Sequence, residues 1–380
     1  MTEIHGHCDE AFTAVRDQFE KNFEDGLELG ASVCVTKDGE TVVDLWAGDA
    51  DTAGRPWERD TICNVWSTTK TMAATVMLML ADRGEIDLDA PVATYWPEFA
   101  SNGKGGVLVR HVLAHTAGLP GFDPAIAPTD LYDQDLVAAN LAAQAPWWEP
   151  GTKSGYHLIS QGHLEAEIVR RVTGRTIGTF FREEVAGPLG AEVWIGLPES
   201  EESKVAELIP PPPGSLDSLT DLGMESIAVR AAISAPVTGA EPNTREWRAA
   251  EIPAAGGTAN ARGVARVHAA LANGGSLDGV DLLSEKTLNR IFEEQIEDVD
   301  LVLGMKMRLG IGFGLMNETI PLSSNPHSCF WGGWGGSIAV IDQDSRMSVA
   351  YVMNRMAGAL VGDMRGGILA VLALGAGAAT

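Results

Sequence analysis

Ser67-Thr68-Thr69-Lys70 stands where an extended apolar segment gives way to a helix that is apolar along nearly its whole length. Upstream, Thr61-Ile62-Cys63-Asn64-Val65-Trp66 has the β-branched and aromatic content of a strand. Downstream, the run from Thr71 to Arg83 includes Met72, Val76, Met77, Leu78, Met79 and Leu80 and stops at Gly84, a helix C-terminal signal. Ser67 is therefore expected at or near the helix N-cap. There its backbone N–H has no partner within the helix, and the helix dipole favours a developing negative charge. Lys70 lies one turn on and on the same face, so its amine can reach the Ser67 hydroxyl. A charged lysine under an apolar helix is costly, so its pKa falls and the amine becomes a base. Ser-x-x-Lys alone is a common string, and in isolation it describes a capped helix with a snorkelling lysine.

Bulk composition limits the rest. The chain has 380 residues, 45% of them hydrophobic, and 43 glycines, enough to bury a large core. That length predicts two lobes, or one large α/β domain with an inserted subdomain. A net charge of −25 argues against nucleic acid and anionic membrane surfaces as partners. Cys8, Cys34, Cys63 and Cys329 lack CxxC or metal-like spacing and read as reduced, mostly buried thiols of a cytoplasmic protein. His157 and His163 are poorly spaced for a helical metal pair, so no metal is expected, and no cofactor. The N-terminus lacks the basic and apolar regions of a secretory signal. The apolar run Ile368 to Ala379 is too short and too rich in Gly and Ala to cross a bilayer, and reads as a buried helix.

Along the chain, Phe12, Val15, Phe19 and Phe23 fall at helical spacing, so an amphipathic helix covers Glu10 to Phe23. Two apolar strands, Gly30 to Thr36 and Thr41 to Gly48, flank Asp38-Gly39, a hairpin turn signal. Two further strands are expected at Ser337 to Ile341 and Met347 to Met353, with a helix from about Ala357. The middle is helix-rich, with segments at Leu131 to Ala145, Ile159 to Thr173 and Thr176 to Glu184, and a polyproline-like spacer at Ile209 to Gly214. The expected fold is therefore α/β (α+β): an antiparallel sheet flanked by helices, built from residues 1–85 and 231–380, with a mainly helical insertion at 86–230. The site would lie between the two.

Several stretches join Ser67 and Lys70 in one pattern: His111 to Leu119, Glu149 to Tyr156, and Trp331-Gly332-Gly333-Trp334-Gly335-Gly336-Ser337 opening a strand. From about Gly30 to Met353 the chain resembles the serine β-lactamase and penicillin-binding-protein superfamily, above all its class C-like branch with the family VIII carboxylesterases. The resemblance implies the β-lactamase-like fold, with Ser67 as nucleophile and Lys70 and Tyr156 as its base and acid partners. It implies an oxyanion hole made by the backbone N–H groups of Ser67 and Trp334, and substrate contacts from Trp331, Gly332, Gly333, Trp334 and His157.

Two departures bear on substrate. Tyr156-His157-Leu158 stands where class C enzymes carry Tyr-x-Asn, and Trp331-Gly332-Gly333 where β-lactamases carry Lys-Thr-Gly. The lost lysine removes a fixed cation that would face a carboxylate, and the lost asparagine removes an amide dipole. A neutral short-chain ester then fits better than an anionic antibiotic. Trp147 and Trp148 are read either as apolar walls at the rim or as core residues. A β-lactamase, a D-aminopeptidase or amidase, an acyltransferase and a non-catalytic penicillin-binding-like sensor are the alternatives. Absence of GxSxG and of a helix-opening GxGxxG disfavours α/β-hydrolase and dinucleotide-binding folds.

Overall fold

In the computed structural model residues 2–214 and 223–378 are described. Positions 215–222, inside the segment expected to be a helical insertion, and Ala379 at the end of the apolar C-terminal run lie outside them.

A nine-stranded sheet forms the frame. Its strands are β1 (Ile4–Cys8), β2 (Gly30–Lys37), β3 (Glu40–Gly48), β4 (Ile296–Val299), β5 (Lys306–Leu309), β6 (Gly314–Leu315), β7 (Ser328–Gly332), β8 (Ile338–Asp342) and β9 (Met347–Met353). Their order is β1-β3-β2-β9-β8-β7-β6-β5-β4, and every pairing is antiparallel. The two ends of the chain thus meet at β2 and β9, in register from Ala31 against Met353 to Lys37 against Met347. The β2–β3 hairpin turns on Asp38 and Gly39, both in the left-handed region at φ 52° and 87°, a type I′ requirement that Asp-Gly satisfies cheaply.

Helices cover both faces of this sheet. The principal ones are α1 (Thr13–Glu24), α2 (Thr69–Asp82), α3 (Gln134–Ala143), α4 (Ser160–Thr173), α5 (Ile227–Ser234), α6 (Ala261–Ala272) and α7 (Met364–Ala378). On β9, Ser348 donates its hydroxyl to the Ala265 carbonyl of α6, while the thioether of adjacent Met347 presses on Gly377 of α7. Neighbouring strand residues face opposite ways, so α6 and α7 lie on opposite sides of the sheet. Asn260 caps α6 by accepting from the Gly263 N–H at 2.8 Å. Asn260→Ala is expected to cost ~1 kcal/mol, seen as a lower denaturant midpoint at unchanged slope.

Two local expectations are revised. Only Cys63–Asn64 of the segment before Ser67 is strand, paired with Thr258–Ala259. The final helix begins at Met364 instead of about Ala357. Residues Ala357 to Gly362 bond instead to the glycine-rich loop, Ala357 N–H to Gly335 O at 2.8 Å and Gly362 N–H to Gly333 O at 3.1 Å, which takes them out of helical register.

Candidate active site

Ser67 sits in a single 3-10 turn, Trp66–Thr68, and α2 begins at Thr69, so the serine precedes the helix by two residues instead of capping it. What places it there is Trp66, a non-glycine residue at φ +45°. A left-handed conformation at such a residue costs ~1–2 kcal/mol and persists only where its surroundings hold it. Here the Trp66 N–H donates to Asn64 Oδ1 at 3.0 Å, and its carbonyl accepts from the Thr69 hydroxyl. Its ring packs against Trp334 at 4.9 Å and Trp247 at 5.4 Å.

Lys70 is buried, and its Nζ has three oxygen neighbours: Ser67 Oγ at 3.1 Å, Leu158 O at 2.7 Å and Ala254 O at 3.0 Å. Loss of water pushes the amine down to about 7, and the field of Glu165 opposes that fall. A neutral amine carries two N–H bonds, which the two carbonyls take. Its lone pair is then left for the Ser67 O–H, the arrangement a general base needs. Helix α4 is set close against the Ala254 segment, because a Cβ at Gly162 would collide with the Ala254 backbone.

Tyr156 is brought to the same place. Burial raises its phenol well above the usual range, partly offset by contacts with the Ser67 side chain and the Trp331 indole, whose Nε1 donates at 3.4 Å. Lys70 Nζ lies 4.7 Å from the centre of the Tyr156 ring. The Tyr156 N–H donates to Asp300 Oδ1 at 2.9 Å, and the same oxygen accepts from Val302 and Leu303 N–H. Asp300 was not anticipated from sequence, since nothing local marks an acidic residue so far along the chain as an anchor for Tyr156.

Among the described residues the Trp334 N–H donates to no backbone carbonyl, and the Ser67 N–H to none outside its own 3-10 turn. Trp334, Ser67 and Tyr156 share a cavity of about 650 Å³, counting its open mouth, with Phe122, Ala231 and Ala235. Among the described residues no charged side chain lines it. The wall contributed by α5 went unread, because Ala231, Ala232 and Ala235 carry no signal that distinguishes pocket from core.

The remaining residues singled out from sequence lie elsewhere. His157 is fully buried and does not line the cavity: its Nδ1 pairs with Gly155 O at 2.6 Å, and its Nε2 accepts from Leu119 N–H at 3.1 Å. Burial pushes it down to about 3, so it is neutral. Trp331 faces Tyr156 and His115. Gly332 and Gly333 are required by the chain itself, since a Cβ there would strike Gly362 and the Val65 carbonyl respectively. Trp147 stacks under Arg230 at 3.8 Å and Trp148 donates to Lys153 O at 2.9 Å; neither lines the cavity.

A buried carboxyl on α4 is an unforeseen neighbour. Glu165 has no exposed surface, and Gln161 on the same helix is its polar side-chain neighbour. Burial raises it from 4.5 to about 8, with the Lys70 charge opposing. The folded state thus holds a proton that the unfolded state releases between those values, so this group's stabilising contribution is lost as pH rises from 4.5 through 8. Glu165→Gln is expected to raise the melting temperature relative to wild type by an amount that grows across that window. A constant difference would show that the carboxyl does not titrate there.

A profile of the beta-lactamase family matches residues 19–373. The chain belongs to the beta-lactamase family. This family member is 37% identical over 375 residues to Esterase/beta-lactamase LipL of Mycobacterium tuberculosis, covering 94% of this chain and 84% of the relative. The crystal structure of a family VIII carboxylesterase superposes with a TM-score of 0.91 at 44% identity, covering 98% of this chain and 100% of that one. A penicillin-binding protein homolog from Caulobacter crescentus superposes at 0.92 with 41% identity, covering 98% and 100%. The fold is beta-lactamase-like, and this family member is a serine hydrolase. No helix among the described residues is long and apolar enough to cross a membrane.

Proposed function

We infer that the protein is a carboxylesterase that cleaves short-chain acyl esters through a Ser67 acyl-enzyme. Lys70, neutral at its lowered pKa, takes the Ser67 proton as the oxygen attacks the ester carbonyl. The Ser67 and Trp334 N–H groups receive the oxyanion, each donor contributing roughly 3 kcal/mol in comparable sites. Tyr156, kept protonated by burial, relays the proton to the leaving alkoxide. Water, deprotonated by the same pair, then releases the acid. The catalytic roles of these residues and the substrate belong to this reading.

The observation that carries the ester assignment is the cavity wall, where no described residue offers a cation to a substrate carboxylate. Esterase names among the relatives support it, LipL and, over 45% of this chain at 31% identity, Esterase EstB of Burkholderia gladioli. A missing charge-assisted bond is worth ~1.5–3 kcal/mol, or ~10–100-fold in rate. Turnover of p-nitrophenyl butyrate is therefore expected to exceed that of nitrocefin by at least that factor in kcat/KM. Faster nitrocefin hydrolysis would overturn the assignment in favour of a β-lactamase.

A further inference from the structure

Beyond Gly333 the glycine-rich loop meets a guanidinium. Arg365, at the start of α7, is buried, with 7% of its surface exposed. Its Nη2 donates to the Gly335 carbonyl at 2.6 Å. Its Nη1 donates to Glu28 Oε2 at 3.0 Å, Leu27 O at 3.1 Å and Arg355 O at 3.0 Å, and its Nε to Asp363 Oδ2 at 2.8 Å. Glu28 is held in turn by the Tyr351 hydroxyl. A Cβ at Gly336 would press into Arg365 Nη2 and the Asp363 carboxylate, so the glycine is there to admit the fork. None of these groups lines the cavity.

We propose that Arg365 is a positioning residue for the oxyanion pair: fixed by Glu28 and Asp363, its guanidinium holds Gly335 and thereby the Trp334 N–H next to it. The proposal rests on the reading of Ser67 and Trp334 given above. Oxyanion donors act only when aimed at the transition-state oxygen at ~2.7–3.1 Å, and a displacement of ~1 Å can cost ~10²-fold. The Gly335 carbonyl also accepts from Ala357 N–H, but that bond belongs to the 357–362 segment, which Arg365 itself ties down through Arg355 and Asp363. A planar fork reaches all these acceptors at once; an ammonium does not.

The test compares Arg365→Met, Arg365→Lys and Glu28→Gln with wild type. Active sites are counted by fluorophosphonate labelling of Ser67, and kcat per labelled site and the affinity for phenylboronic acid, which forms a tetrahedral adduct on Ser67, are measured. Arg365→Met is expected to lose ~10–100-fold in kcat per site at nearly constant KM, and the boronate to weaken by the same factor. Lysine recovers only part, and Glu28→Gln moves the same way by less. Simple destabilisation lowers the number of active sites and leaves both per-site quantities alone. Wild-type per-site kcat and boronate affinity in these variants overturn the proposal; if Arg365→Met does not fold, the other two decide. Failure of wild type to label at Ser67 overturns the underlying reading and the proposal with it.

Discussion

Ser67→Ala is expected to abolish ester hydrolysis, with kcat falling by ~10⁴–10⁶, the range in which removing a nucleophile leaves only binding and oxyanion stabilisation. The size of the effect follows from geometry. Lys70 has no second hydroxyl to activate, since its other oxygen neighbours are the carbonyls of Leu158 and Ala254. The Tyr156 phenol is held protonated by burial and makes a poor substitute nucleophile. Stability should change little, because the substitution deletes one oxygen at the edge of an open cavity. Relieving the lysine of a polar neighbour can even raise stability, a common trade at catalytic positions. Two measurements check this: turnover of p-nitrophenyl butyrate, and intact mass after brief exposure to the ester. Wild type should show a transient acyl adduct and Ser67→Ala none. Equal rates for the two proteins would remove Ser67 from the mechanism.

The frame was largely legible from sequence, and for identifiable reasons. The hairpin of β2 and β3 declared itself through apolar runs around Asp38-Gly39, where local turn chemistry decides the structure. Helix α4 declared itself by period, and ends as expected at Gly174, φ +71°. Ser67, Lys70 and Tyr156 were named from motif, and the structure brings them together although 89 positions separate the first from the last.

What was not legible depends on contacts between distant segments. The turn at Trp66 is unfavourable on its own and needs, besides the local bonds to Asn64 and Thr69, the rings of Trp247 and Trp334, which no window around Ser67 contains. Residues 357–362 read as the start of a helix until the glycine-rich loop claims their hydrogen bonds. A Cβ at Gly332 or Gly333 would strike Gly362 or the Val65 carbonyl, a requirement for glycine that only the folded chain reveals. The carbonyls that take the Lys70 N–H bonds are backbone atoms, and backbone carries no sequence signature at all.

Lys70→Met should cost ~10²–10⁴-fold in kcat, the usual contribution of a positioned base. It should also change the shape of the pH profile. In wild type the amine must be neutral to accept the Ser67 proton, and burial sets its pKa at about 7. Below that value kcat/KM should fall tenfold per unit as the amine charges; above it the rate should level off. Without the amine this acid limb should vanish, leaving only a slow, flatter rate. Lys70→Arg should be as inactive as methionine, because a guanidinium keeps its proton at any working pH. Stability should move oppositely to activity. Between about 7 and 10.5 the unfolded chain binds the lysine proton and the folded one does not, so wild-type stability rises with pH across that window. The methionine variant lacks this slope and should be the more stable protein at neutral pH, where wild type bears the cost of burying a lysine. An acid limb that survives in Lys70→Met, with its midpoint unmoved, would assign the titration to another group and take the base role from Lys70.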